Sequence, residues 1–345
     1  MQSLFYGLGI LMVSLSAYGI HSEGFGLWWG LIFLFLLVPS LEYLFPQIDV
    51  PEKPTLSPWS DIWIWISPLY LTLFLFFAGY KYTQLQSFLD QGALILSAGS
   101  LLGAFGITYA HELVHRPKEW ERALGVWNLL LVNFAFWGVE HVFGHHKNVG
   151  TLEDPATARK NQTVYSFWLQ NFFAGYSHAW RFEFHRLINS KKSLFRHRIF
   201  LYTLFSLVVS MVLYKIGGIS VLFFWWAVSF VAILLLMTVD YIEHYGLVRN
   251  LKDTGLYEPV KAHHSWDTKG LFTNLVLTNL GLHSHHHLKA RLPFQELKAQ
   301  PDSRILPYGY SVMVLLALVP PLYFKLIHPR LEVSSELTHF SRETL

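Results

Sequence analysis

Four imidazoles fall within five residues at His283-Ser284-His285-His286-His287. Polar groups without partners are costly near apolar sequence, so packing gives little reason for such a run. On a helix His283, His286 and His287 stand at i, i+3 and i+4 and share one face, while His285 points elsewhere. Three more clusters occur. His111-Glu112-Leu113-Val114-His115 sets two histidines at i, i+4. In Glu140-His141-Val142-Phe143-Gly144-His145-His146, His141 and His145 share a helical face and His146 lies one residue further round. The last is Asp240-Tyr241-Ile242-Glu243-His244-Tyr245-Gly246. A four-coordinate zinc would use three or four of these imidazoles. The nine face-sharing candidates suit two metal ions with four or five nitrogen ligands each. Imidazole accepts Zn, Cu, Fe and Ni, so spacing leaves the metal open.

Carboxylates stand beside these ligands. Glu112, Glu140 and Glu243 each adjoin a candidate histidine. Adjacent helical residues face differently, so their expected work is to orient a ligand's other ring nitrogen, and Asp154, Glu153 and Asp240 could do the same. The stretch from His111 to His115 also fits the H-E-x-x-H pattern of zinc proteases, in which the glutamate is the general base.

The elements that must position these groups are apolar. The 345 residues are 52% hydrophobic and 17% aromatic, with 14% charged, against about 25% charged in a soluble domain. Mean hydropathy is +0.33. The expected fold is an all-α integral membrane protein. Six spans of about 20 residues fit at 4–20, 27–45, 62–80, 93–110, 199–214 and 219–239. The first lacks a basic leader and a cleavage site, and reads as a retained helix. Spans one and two, and five and six, form hairpins. The apolar pieces Ala123–Val139 and Val164–Ala174 read as helices packed against the bundle. Val312–Phe324, broken at Pro320-Pro321, reads as interfacial or re-entrant, and Pro46–Pro58 as a connector. With both termini cytoplasmic, only Lys81 and Lys215 of the 26 basic residues fall outside, which satisfies the positive-inside rule. Every histidine cluster then lies at a cytoplasmic end, in a histidine-rich cap over 111–198 and 240–345, and the chain forms one domain. The basic residues need no nucleic-acid role. Topology, membrane lipid head groups and an acidic partner explain them.

These motifs resemble the four histidine motifs of the membrane-bound alkane 1-monooxygenases, within the wider fatty-acid desaturase/hydroxylase superfamily. The stretches Thr151–Arg159, His178-Ala179-Trp180 and His264-Ser265-Trp266 also resemble family sequence, and the likeness runs from about Ala93 to His287. The Glu243-His244-Tyr245-Gly246 core separates this family from ordinary desaturases. There are two departures: the family usually has Asn where Asp240 stands and Asp where His285 stands.

The resemblance implies hydroxylation of the terminal carbon of a medium- or long-chain alkane by O2 at a non-haem centre of two iron ions, with His111, His115, His141, His145, His146, His244, His283, His286 and His287 as ligands. An alkane C–H has no acidic proton, so the cofactor must carry that step. The protein presents one chain end and excludes water. Aromatic residues such as Trp63, Trp65, Phe74, Phe76, Phe105, Trp225 and Trp226 could line the slot, although lipid contact explains most of them as well. The chain contains no cysteine, hence no iron–sulfur cluster held by it, and shows no haem or flavin motif. An external donor is implied, in the family rubredoxin with rubredoxin reductase, and the basic segment Arg181–Arg198 is a candidate dock. The implied location is the bacterial inner membrane. Three other readings stay open: a di-iron fatty-acyl hydroxylase, desaturase or alkene-forming decarboxylase, for which Arg116 or Lys147 would meet the carboxylate; a membrane metal transporter; and a metalloprotease.

Overall fold

A computed structural model describes residues 6–45 and 58–340, with residues 58 and 332–340 as backbone only. The start of the first expected span and nearly all of the Pro46–Pro58 connector lie outside the described residues. The chain is mostly helical. Helix α1 (Leu8–Ser22) turns tightly into α2 (Gly24–Leu44), and the two backbones touch at Gly19 and Gly26, where a Cβ on either residue would collide with the other's carbonyl. Lys81 Nζ reaches Glu23 Oε1 at 2.7 Å and ties that turn to the far end of α3 (Ile62–Tyr82).

Helix α4 (Phe88–His115) is the axis of the bundle: 89% of its most apolar window is buried, against 28–39% for the other three long apolar helices. It ends in the first histidine cluster. Next comes α5 (Glu119–Leu131), antiparallel to the end of α4, with Gly125 packed on Ala110 and Leu113. After a turn in which Asn133 takes a left-handed φ of 56°, α6 (135–148) runs back to the second cluster. The stretch expected as one helix over Ala123–Val139 is therefore two, folded into a hairpin. Broken backbone is tolerated at membrane depth only where protein satisfies it. Here Trp225 Nε1 donates to Leu131 O at 2.7 Å, and Asn133 Nδ2 to Ser229 Oγ at 3.0 Å.

Helix α7 (Val164–Asn189) lies against α8 (Arg198–His244), which bends back on itself at Gly218, a residue with φ +69°. Trp226 Nε1 donates to Ser210 Oγ across the bend at 3.2 Å, so the arms on either side run antiparallel. Among the described residues, four helices (α2, α3, α4 and α8) are long and apolar enough to cross a membrane, and α1 is a shorter apolar helix. The six expected segments appear as these five helices, because one bent helix carries the last two. The remaining chain closes over the histidine end: α9 (Leu271–Val276), α10 (His283–Leu288), α11 (Tyr310–Ala317) and α12 (Pro320–Phe340), with a two-residue parallel pairing of β1 (Trp266–Asp267) and β2 (Arg304–Ile305). The break before Pro320 falls where proline suits the first turn of a new helix.

Candidate metal centre

The nine histidines converge from α4, α6, α8 and α10 at one end of the bundle. They separate into two sets. His111, His115, His141, His146 and His286 form one, and His145, His244, His283 and His287 the other, with the nitrogens of each set within 4.8 Å of one another. The sets adjoin: the His146 and His287 ring centroids are 4.6 Å apart.

The division within the second cluster departs from the helical expectation. His141 and His145 were expected on one face at i, i+4. The turn His141–His145 is instead π-helical, and its wider repeat brings residues five apart together. His141 Nε2 therefore meets His146 Nε2 at 3.1 Å, while His145 Nε2 turns to His287 Nε2 at 3.2 Å. Trp137 stacks on His141 with centroids 4.3 Å apart and fixes its plane. In α10, His286 faces one set and His283 and His287 the other. His285 belongs to neither. Its Nδ1 accepts from Lys298 N at 2.9 Å.

The nitrogens suit metal ions better than they suit each other. Within the four-histidine set, Nε2 atoms follow one another from His145 to His287, His283 and His244 at 3.2, 2.9 and 3.0 Å. A neutral imidazole has one N–H, so these contacts cannot all be good hydrogen bonds. Two nitrogens each ~2.1 Å from an ion and at right angles are ~3.0 Å apart, which is the spacing present. In the other set, the buried Nε2 atoms of His111 and His115 have no hydrogen-bond partner at all. An all-nitrogen donor set of this kind fits borderline divalent ions, iron included.

The electrostatics favour the neutral imidazole at five of the nine positions and the charged one at His145. Burial, helped by neighbouring imidazoles, pushes His141, His146, His283, His286 and His287 well below the usual histidine range. Burial would lower His145 too, but the Asp154 carboxylate, 3.0 Å from its Nδ1, more than offsets this and holds it up to about 9. Asp154 is itself fixed by Ala156 N and the Thr157 hydroxyl, at 3.0 and 2.7 Å.

Of the other carboxylates, Glu243 Oε1 lies 3.3 Å from His283 Nδ1 and accepts from Tyr310 OH at 2.7 Å. Glu112, expected behind a ligand, pairs instead with Arg116 at 2.7 Å, and Arg116 also holds Asp61 at 2.7 Å. Glu140 turns to His178, 3.5 Å away, and Asp240 accepts from Asn171 Nδ2 at 3.2 Å. Glu153 lies next to Asp154 in the loop, where its backbone N donates to Thr151 Oγ1. Sequence reading missed Asp267, whose carboxylate accepts from Ser284 N and Oγ at 2.7 and 2.6 Å and anchors the start of α10. Its position three residues after His264 carried no signal. A third group, Glu258, His263 and His264, sits outside the nine, with Lys261 on the Glu258 carboxylate at 2.7 Å.

Below the histidines, an apolar cavity opens between α2, α4, α8, α9 and α11. Leu34, Val38, Gly103, Thr108, Val239 and Tyr310 are among its walls. Thr108 is one turn before His111, and Tyr310 holds Glu243, so the cavity ends near the imidazoles. The aromatic residues expected along a slot do not line it.

Residues 91–314 match the model of the family described as fatty acid desaturase. Alkane 1-monooxygenase 2 of Alcanivorax borkumensis is 34% identical over 96% of this chain and 90% of its own length. Alkane 1-monooxygenase 1 of Pseudomonas aeruginosa is 40% identical over 68% of this chain and 62% of its own. The xylene/toluene monooxygenase hydroxylase component of Pseudomonas putida is 25% identical over 95% and 88%. Likeness of this extent, joined to a buried nitrogen-only centre, makes the chain an oxidoreductase that belongs to the alkane 1-monooxygenase branch of the fatty acid desaturase family.

Proposed function

We propose that the protein is a non-haem di-iron monooxygenase that hydroxylates the terminal carbon of medium- or long-chain alkanes with O2, drawing electrons from rubredoxin through its reductase. The observation that carries this reading is an apolar cavity ending beneath two adjoining all-histidine sets. His111, His115, His141, His146 and His286 would hold one iron, and His145, His244, His283 and His287 the other. The iron pair, when bound, supplies the O2 chemistry that no side chain can perform on an unactivated C–H bond.

The chain's own residues do the rest. Asp154 fixes the ring of His145 through its Nδ1 atom, and the Glu243 carboxylate stands 3.3 Å from His283 Nδ1. At about 40 Å³ the cavity has room for the tip of an alkyl chain, and its apolar walls would part around the rest and keep water away. Six crossings follow if α1 spans and α8 crosses twice about Gly218. That puts both termini and the histidines on the cytoplasmic face of the inner membrane. Exposed Arg181, Lys191, Lys192 and Arg196 then offer an acidic donor protein a cationic surface.

Two observations weigh against the other readings. A free fatty acid would need a cation for its carboxylate, yet no Lys or Arg lines the cavity and Arg116 is held by Asp61 and Glu112. A protease of the H-E-x-x-H kind needs its glutamate free as base, and Glu112 is paired. The test is iron content with turnover of octane, dodecane and laurate, using purified protein and a rubredoxin system. Two tightly held irons per chain with 1-alkanol product are expected. Bound iron without any oxygenated or desaturated product would sink the oxygenase reading, and exchangeable zinc would favour transport or proteolysis.

A further inference from the structure

A second cavity, of about 460 Å³, lies between α3, α5 and the two arms of α8. We propose that it holds one acyl chain of a phospholipid from the leaflet on the Lys81–Lys215 side, with the phosphate at Lys215. The groove begins at the tip of the hairpin, at Trp127, Leu130 and Leu131. It runs outward between α3 and the two arms of α8 to Ile216 and Gly217, at the bend. The hairpin turns back at 132–134, and the cavity opens beside its tip.

The dimensions match one leaflet. Along α3 the wall runs from Thr72 to Thr83, which is ~16 Å of helix at ~1.5 Å per residue. Half of a ~30 Å hydrocarbon core is ~15 Å. The volume lies in the range of about 300–1,000 Å³ typical of ligand pockets.

The chemistry of the wall excludes water. Its polar groups are already engaged: Trp127 Nε1 on Thr72 Oγ1 at 2.9 Å, Trp225 Nε1 on Leu131 O at 2.7 Å, and Thr83 Oγ1 on Tyr80 O at 2.7 Å. Buried water needs two to four polar partners, and apart from the Tyr80 hydroxyl at the mouth the wall side chains offer little. Empty apolar space of this size forfeits the contacts that close packing supplies. An alkyl chain from the surrounding bilayer meets both demands.

The mouth selects a phosphate-bearing lipid. Lys81 is spent on Glu23, whereas exposed Lys215 has no ion pair among the described residues and directly precedes Ile216 and Gly217. The Tyr80 ring, 64% exposed, stands at the same end, where amphipathic aromatic residues meet head groups. A lysine near a membrane surface attracts lipid phosphate.

The proposal rests on the membrane placement, which is checked separately by resistance to alkaline extraction. The test measures phospholipid retained by the full-length protein after purification in mild detergent, by native mass spectrometry and phosphate assay. Leu213→Trp, which fills the groove, is compared with Lys215→Glu, an exposed change that leaves packing alone. About one phospholipid per wild-type chain is expected. Leu213→Trp should lose it, and Lys215→Glu should retain it about fivefold less well. Iron content should be unchanged in both. Equal retention in all three proteins, an alkane or alkanol in place of phospholipid, or no retained lipid in the wild type would overturn the proposal. Should Leu213→Trp fail to fold, Lys215→Glu decides alone: unchanged retention refutes.

Discussion

His141 and His146 face each other at 3.1 Å across a π-helical turn, while His145, between them in sequence, reaches His287 in the other set. One wide turn thus serves two neighbouring centres from a single short helix. If each set holds one ion, as proposed, adjacent residues control different ions. His146→Ala should empty the five-histidine set first and His145→Ala the four-histidine set, each leaving about one iron per chain at limiting metal. Metal analysis with Mössbauer spectra distinguishes the two remaining ions. Identical spectra from the two variants would mean the sets are not separate sites.

The carboxylates divide in the same way. Asp154 contacts His145, so Asp154→Ala should weaken iron binding about 10- to 100-fold. Glu112 contacts Arg116, so Glu112→Gln should leave iron affinity near wild type and lower thermal stability. Competition against a chelator measures the first effect, and melting in detergent the second. Loss of iron in Glu112→Gln would restore a role for this residue at the metal.

His285 stands where the family usually has a carboxylate, and it accepts from Lys298 N outside both sets. An aspartate could accept the same hydrogen bond. His285→Asp should therefore keep both irons, whereas His286→Ala should lose iron from the five-histidine set. The reverse outcome in metal analysis would mean that the register of α10 is misread.

The sequence made the convergence of the nine histidines legible because imidazoles at i, i+3 and i+4 share a face whatever surrounds them. His283, His286 and His287 share a side yet divide between the two sets, and so do His141 and His145, whose rings stack 5.3 Å apart. That division was not legible, since no residue type announces a π turn. The hydropathy of 198–244 marked an apolar hairpin, and its lysine-glycine bend at 215–218 was visible. The hairpin tip at 132–134 was not, since its breaks are satisfied by Trp225 and Ser229, about 90 residues further along. Carboxylate partners were the least legible feature. Glu112, Glu140 and Glu243 all adjoin a histidine in sequence, yet only Glu243 contacts a member of the two sets.

The surface proposed for the donor is narrower than the basic segment suggests. Arg186 and Arg198 are both held by Glu183, which leaves exposed Arg181, Lys191, Lys192 and Arg196 for a partner. Reversing Arg181 and Arg196 to Glu should raise the rubredoxin concentration needed for half-maximal rate, by about fivefold or more at low salt, and flatten its salt dependence. Reversing Arg186 would mix docking with loss of its pair. Unchanged donor dependence in the Arg181→Glu/Arg196→Glu variant would place the dock elsewhere.

Glu183 itself sets a pH limit on stability. Burial alone would raise its carboxyl, but hydrogen bonds and charge from Arg198 and Arg186 more than offset that and hold it down to about 2. A carboxyl whose folded pKa is depressed stabilises the fold fully above its unfolded value near 4.5. That contribution is lost as pH falls from there toward about 2. Both arginines are 34% exposed, so solvent screening reduces the effect to about 1–2 kcal/mol. Glu183→Gln should lower the melting temperature in detergent at pH 7 by a few degrees and flatten its decline below pH 4.5. An unaltered acid decline would show that the loss of stability arises at other carboxylates.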